Sequence, residues 1–351
     1  MIKTFDMKTY AFPGIIEDDI LAIAARQIPY MRTAWFSQLM KENERMLLDA
    51  IGCRDGKVMF FTSSGTGAME AIVENFVAAR GSAYIIEGGT FGHRWVELCR
   101  YHGVEHKAMQ VPFACDIDYD LLDREVAEFA PKVFLCQHHE TSSGQLFNLK
   151  RISEICRKYG VCLVVDVISS FLAEELNMDE LGIDVAVTSS QKGLNLPPGA
   201  ALVFLSAKAA GMESLHRNYY FDFQDNLENL KRGQTPFSPA TTIFMQIHER
   251  MSRNMQKGIG NIIAETHAKA LHFRELCRKN GWTVPAQCPA NAITGFFVQK
   301  NADILFTELQ KRGVFVMPSG KPGFMRVSHM GCDTIQDLDE LAQMIVEIEN
   351  L

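Results

Sequence analysis

The chain has 351 residues, 47% of them hydrophobic and 22% charged, and a formal net charge of −7. At roughly 100–200 residues per domain this length supports about two domains, and the composition argues against disorder, collagen-like repeats and coiled coils. The basic residues form no block, which disfavours nucleic-acid binding. The longest uninterrupted apolar run, Gly199 to Leu205, is far short of the ~20 residues that cross a bilayer. The opening stretch MIKTFDMKTYAF shows no apolar core with a small-residue cleavage site, so the expected location is cytoplasmic. Nine cysteines without a CxxC pair argue against a disulfide framework and a zinc ribbon, and are expected to be reduced and mostly buried.

From Val58 to about Leu205 short apolar runs alternate with amphipathic stretches. The runs VMFF, AYII, VFLC, VCLVV, VAVT and ALVFL are bounded by turn residues, as expected for strands covered on both faces. Between them, helices are predicted over Ala68–Ala79, Gly92–His102, Asp120–Phe129 and Lys150–Tyr159, the last closed by Gly160. Strand and helix taking turns predicts an α/β fold with a mainly parallel sheet flanked by helices. After Phe237-Ser238-Pro239 long helical stretches run to about Lys279. Then AITGFFVQ, a helix from about Ala302 to Arg312, VFVMP, FMRVSH and a helix near Ile335–Glu347 predict a smaller α+β unit. The expected division is 1–255, an N-terminal arm and large domain, and 256–351, a small C-terminal domain.

Three constellations carry chemistry. Thr62-Ser63-Ser64-Gly65-Thr66-Gly67-Ala68 joins a strand to a helix and offers free N–H groups, hydroxyls and a helix N-terminus to a phosphate, or is an ordinary capped helix start. Asp166 ends the strand VCLVV, where open α/β sheets present ligand groups; it pairs with a cationic ring nitrogen or caps the turn through Ser169 and Ser170. Lys192, in TSSQKG, is a Schiff-base nucleophile if its pKa is lowered, and otherwise a solvated loop lysine. Phosphate loop, strand-end acid and, 26 positions on, a strand-end lysine occur in that order. These are the parts pyridoxal phosphate needs.

With SSGTGAMEA, HHETSSGQL, VVDVIS, SSQKGLNLPPG and MRVSHMG in register, roughly residues 58 to 351 resemble the class V aminotransferases of the fold-type I pyridoxal-phosphate enzymes. The branch resembled holds alanine-glyoxylate, serine-pyruvate and 2-aminoethylphosphonate-pyruvate aminotransferases. The resemblance implies that Lys192 bonds the cofactor aldehyde and Asp166 pairs with the pyridine nitrogen. It further implies that Ser64, Gly65 and Thr66 hold the phosphate beside Gln191, that Phe91 stacks on the ring and that Thr141 bonds near the ring oxygen. Thr235 and Ser238 would reach the phosphate of a neighbouring subunit in a homodimer, and Arg326 would bind the substrate carboxylate, a task suited to a guanidinium fork. Small amino donors (alanine, serine or 2-aminoethylphosphonate) and the acceptors pyruvate or glyoxylate are implied.

The chain departs from the family pattern at its opening, where only Phe12-Pro13-Gly14-Ile15-Ile16 stands in for the usual Gly-Pro-rich segment, often used to shape the substrate site. Three rival readings are set against it. A cysteine desulfurase or lyase on the same scaffold would use Cys332 as sulfur acceptor, but Gln191 stands where those enzymes carry a histidine. His102-Gly103-Val104-Glu105-His106 matches the inverted zincin motif of a zinc hydrolase, but Gly103 should stop the helix that motif needs. No metal is expected. A non-catalytic protein on the same fold needs none of Lys192, Asp166 and Arg326.

Overall fold

The structure, a computed structural model, describes residues 7–212, 218–299 and 302–350; the first six residues of the opening stretch lie outside them. Seven strands form the main sheet: β1 (Lys57–Phe61), β2 (Ser82–Glu87), β3 (Glu105–Gln110), β4 (Val133–Gln137), β5 (Cys162–Asp166), β6 (Val185–Ser189) and β7 (Ala201–Leu205). Their spatial order is β1-β7-β6-β5-β4-β2-β3. All neighbouring pairs are parallel except those of β7, which runs antiparallel to both β1 and β6. The apolar pattern of ALVFL matches a buried strand; its reversed direction is set by connection length, since the eleven residues between β6 and β7 also carry the Lys192 loop.

Alternate residues of each strand enter two separate cores, as the two-residue period requires. Phe60, Tyr84, Phe134, Leu163, Val165 and Phe204 meet helices α1 (Ala34–Ile51) and α5 (Leu149–Tyr159) on one face. Met59, Ile85, Leu135, Val164, Val187 and Val203 meet α2 (Gly65–Ile72) and α3 (Thr90–Tyr101) on the other. Local signals set the helix ends. Thr33 and Asn148 cap α1 and α5 through their side chains, and Gly52 and Gly160 close them in the left-handed conformation. The stretch expected as one helix over Ala68–Ala79 instead starts at Gly65 and changes to a π-helical turn at Val73–Val77. Helix α4 (Tyr119–Phe129) forms as expected, with Asp118 as its cap.

Two long helices follow, α6 (Thr241–Lys257) and α7 (Ile259–Lys279), separated by Gly258. Phe244, Ile247 and Met251 of α6 pack into the first sheet core, whereas Phe273 and Cys277 of α7 pack into a third core. That core belongs to the C-terminal unit, where β8 (Ile293–Phe297), β9 (Met317–Pro318) and β10 (Phe324–Ser328) form an antiparallel sheet with β10 in the middle. Helices α8 (Ala302–Lys311) and α9 (Ile335–Glu349), the latter with a full capping box, cover it. The chain's opening also joins this unit: Lys8–Thr9 pairs with Val314–Phe315, and Tyr10 is buried in the same core.

All nine cysteines are free, and six are buried. Among the described residues no helix is long and apolar enough to cross a membrane. Gly103 is left-handed and α3 ends at Tyr101, so His106 falls on β3 and its ring bonds the Val104 carbonyl, while His102 turns to Glu70. The HxxEH stretch is a helix-to-strand turn.

Because Ile85 on β2 is fully buried between β3 and β4, Ile85→Ala should lower unfolding free energy by about 2–5 kcal/mol. A shift of the urea midpoint to lower concentration measures it.

Candidate active site

Strands β1, β4, β5 and β6 run in one sense, so their carboxyl ends open on a single edge, the usual place for ligands in open α/β sheets. Asp166 is the last residue of β5 and is buried. Its Oδ1 accepts the Ile168 N–H at 2.7 Å, and its other oxygen accepts no hydrogen bond among the described residues. Burial pushes this acid up to about 7, opposed by that bond and by the cations of Lys192 and Arg94, while Glu140 adds to the rise. Lys192, in the turn after β6, has its ammonium form disfavoured by burial and by Arg326 and Arg94, against the pull of Asp166, which brings it down to about 7. Its Nζ lies 3.6 Å from the centre of the Phe12 ring and has no hydrogen bond or ion pair among the described residues. The turn requires Gly193, because a methyl there would come 1.9 Å from the Phe171 carbonyl oxygen.

The phosphate-loop candidate lies alongside. Ser64 is the N-cap of α2, its Oγ accepting the Gly67 N–H at 3.4 Å. The N–H groups of Gly65 and Thr66 have no acceptor among the described residues. A methyl on Gly65 would meet Ile168 Cδ1 at 2.6 Å and Ser189 Cβ at 3.6 Å, so this glycine sits against the ends of both β5 and β6. A carboxyl oxygen without a donor, a lysine whose amine is partly uncharged near neutrality and two free N–H groups at a helix start match the ring nitrogen, aldehyde and phosphate of pyridoxal phosphate. The residues present fit that group.

Thr141 is buried and shares a 2.7 Å hydrogen bond with Ser169, in the turn following Asp166. Arg326, on the central strand β10 of the small sheet, donates to the Thr141 carbonyl at 2.9 Å and to the Pro318 carbonyl at 2.7 Å, while its buried Nε has no partner. Arg326 and Phe91 line one cavity of about 760 Å³, together with Phe113, Ser142 and Lys321. Phe91 opens α3, and the Arg94 guanidinium stands 4.9 Å over its ring. Gln191 is half-buried beside Lys192. Thr235 and Ser238 lie apart from this cavity, in a segment against the end of β1, where Ala240 N–H donates to Thr62 Oγ1 at 2.9 Å. The Thr235 hydroxyl is already given to the Phe237 carbonyl. Cys332 lines a different cavity with Glu17 and Arg250, and burial beside Glu17 pushes its thiol up to about 11.

A family model described as aminotransferase class-V matches residues 23–217, more than half the sequence. The chain belongs to the class-V aminotransferase family. Among its relatives is an L-aspartate–glyoxylate aminotransferase of Paracoccus denitrificans, 29% identical over 225 residues. That match covers 62% of this chain and 57% of the relative, so the chain spans little more than half of that protein's length. A soluble hydrogenase 42 kDa subunit of Anabaena cylindrica is 27% identical over 335 residues, covering 92% and 87%. Among solved structures, an alanine–glyoxylate aminotransferase of Nostoc sp. superposes with a TM-score of 0.91 at 19% identity, over 99% of this chain and 96% of the other. That likeness confirms the expected fold, the fold-type I architecture of a large mainly parallel α/β unit and a small C-terminal one.

Against this class-V frame, several residues at the site were not singled out by sequence. Phe12, from the divergent opening, covers the Lys192 amine, and Asn195 Nδ2 ties the Ile15 carbonyl to the lysine turn at 2.7 Å. Placing that opening at the site needed only the rule that it shapes the substrate pocket; the ring contact had no sequence signal. Glu140 stands inside the motif HHETSSGQL and Arg94 three residues after Phe91, where their charge was the available signal. His139, beside Glu140, is buried with neither ring nitrogen bonded, and burial pushes it down to about 3.

Since the neutral amine is the reactive form, the rate at which the cofactor-free protein takes up pyridoxal phosphate should rise with pH through about 7 and level off above it. Asp166 favours the ammonium, so Asp166→Asn should move that midpoint to lower pH. Stopped-flow absorbance across a pH series reads both.

Proposed function

We propose that this protein is a pyridoxal-phosphate-dependent aminotransferase moving an amino group between a small amino donor and a small 2-oxo acid. The observation that carries the reading is the convergence of Asp166, Lys192 and the free N–H groups of Gly65 and Thr66 on one sheet edge, with Arg326 facing the adjoining cavity. Pyridoxal phosphate, when bound, supplies an aldehyde carbon and an electron-withdrawing ring. Lys192 would hold the aldehyde, Ser64, Gly65 and Thr66 the phosphate with Gln191 beside them, Phe91 the ring face and Thr141 the ring oxygen. Asp166 would keep a proton on the ring nitrogen, where its unengaged oxygen gains a cationic partner and its own proton affinity falls. Lys192 Nζ, with its affinity for a proton lowered to about 7, would accept the proton leaving the donor's α-carbon and return it one position away. Arg326 would orient the substrate by its carboxylate, with its unpartnered Nε available for the second bond of the fork.

For the donor we favour alanine, serine or 2-aminoethylphosphonate, and for the acceptor pyruvate or glyoxylate, working in the cytoplasm. A homodimer is part of the reading. Tyr219 and Tyr220 are exposed aromatics packed on Phe237 of the 235–238 segment, which Arg32 ties down through the Thr235 carbonyl at 2.6 Å. An exposed aromatic patch beside two hydroxyls suits an isologous interface through which Thr235 and Ser238 reach the partner's phosphate. The desulfurase reading is disfavoured by Cys332, whose thiol is held protonated on a cavity apart from Phe91 and Arg326.

An absorbance titration tests the proposal: a visible band should appear with pyridoxal phosphate and convert to the amine form with one donor of a panel including alanine, serine, aspartate, cysteine and aminoethylphosphonate. Bleaching by cysteine alone with sulfide release, or no band, overturns it. Lys192→Ala should abolish the borohydride-reducible link to the cofactor, shown by loss of labelled peptide in mass spectrometry. Arg326→Ala should cost carboxylate donors about 2–5 kcal/mol in kcat/KM, with unchanged kinetics ruling out its role.

A further inference from the structure

Helix α3, which carries Phe91 in its first turn, has Gly89 as its N-cap and so has no capping side chain of its own. Its first three N–H groups are orphans that need acceptors. The structure supplies them from about fifty residues away. Ser142 Oγ accepts from Thr90 N at 3.2 Å, Glu140 Oε1 from Phe91 N at 3.3 Å, and Glu140 Oε2 from Gly92 N at 3.0 Å. Glu140 also accepts Gln137 Nε2 at 3.0 Å, Ser142 N at 3.1 Å and Ser142 Oγ at 2.5 Å, and it is fully buried. Only a glycine at 89 permits this approach, since a methyl there would come 2.7 Å from Glu140 Cδ and 2.5 Å from Ser142 Oγ. On the other side of Glu140, Thr141 bonds Ser169 through its hydroxyl and Arg326 through its carbonyl.

We propose that Glu140 is a positioning residue for the cofactor and substrate groups: by capping α3 from outside, it fixes the Phe91 ring relative to the Thr141 loop on which Arg326 rests. A side-chain acceptor at a helix start holds two N–H groups in one geometry and favours the positive end of the helix dipole. Here the cap and the helix come from different strand ends, so the same bonds that terminate α3 set the width of the slot between Phe91 and the end of β5. The proposal rests on the pyridoxal-phosphate reading of the site, and wild-type protein that binds no cofactor defeats that reading independently.

The test compares Glu140→Ala, Glu140→Gln and Gly89→Ala with wild type, reading cofactor affinity by equilibrium dialysis and ring orientation by visible circular dichroism of the bound cofactor. Glu140→Ala and Gly89→Ala should weaken cofactor binding roughly 10–100-fold, the scale of losing hydrogen bonds to a charged group, and should lose most of the visible dichroism. Glu140→Gln keeps an acceptor oxygen for one of the Phe91 and Gly92 N–H groups and turns an amide donor toward the other, so its signal should fall between those of Glu140→Ala and wild type. If Glu140→Ala folds and binds the cofactor with wild-type affinity and dichroism, the proposal is overturned. It is equally overturned if Glu140→Ala and Glu140→Gln lose thermal stability while the dichroism per bound cofactor stays that of wild type.

Discussion

Everything at the candidate site depends on one constraint: an acid and a lysine are held at the ends of neighbouring strands, where burial disfavours the charged form of each. In water the two groups would be fully ionised near pH 7 and indifferent to their surroundings. Here burial brings the acid up to about 7 and the lysine down to about 7, with their mutual attraction opposing both shifts. Such a pair is costly to keep without a third partner, because neither side chain is satisfied by the other. The sheet supports that cost through its packed cores. β5 and β6 are adjacent, parallel and covered on both faces, so Asp166 is held buried and Lys192 half-buried at their ends.

The legibility of this arrangement in the sequence was uneven, for physical reasons. Strands buried on both faces read as short apolar runs, and VCLVV and VAVT are therefore visible without any structure. Once a strand is located, its carboxyl end is located too, which brings Asp166 and Lys192 to one edge. A cap with a local chemical signature, Gly160 after α5, was equally readable. What the sequence could not display are contacts between distant segments. Nothing local marks Phe12 as the cover of an amine at position 192, and a helix whose N-cap is Gly89 gives no hint that its capping side chain is Glu140. The direction of β7 was hidden likewise, because apolar alternation is the same in parallel and antiparallel strands. The helix expected over Ala68–Ala79 failed at its later half, where the backbone widens into a π-helical turn while its apolar residues stay buried.

The two structural units meet through many specific polar contacts, most of them made by the stretch from Gln287 to Asn291. Arg326 crosses from the small sheet to the Thr141 carbonyl, and Glu174, buried near the end of β5, accepts Asn291 Nδ2 at 2.8 Å just before β8. Burial pushes Glu174 up to about 7, with the Asn291 backbone bond opposing the rise. An arginine borne on the smaller unit but bonded to a loop of the larger one fixes the depth of the cavity beside Phe91. Small substrates offer little apolar surface for discrimination, so selection among them has to come from such placed polar groups.

The chain's opening links these parts into one mechanical unit. Lys8–Thr9 adds a strand beside Val314–Phe315, Tyr10 is buried in the core of the small unit, and two residues later Phe12 reaches the Lys192 amine. Then Gly14 packs against the Met330 carbonyl, where a methyl would come within 2.4 Å, and the Ile15 carbonyl is held by Asn195. Within eight residues the chain therefore touches the small sheet, the lysine turn and the segment following Arg326. A displacement of the small unit on substrate binding would be carried directly to the ring that covers Lys192.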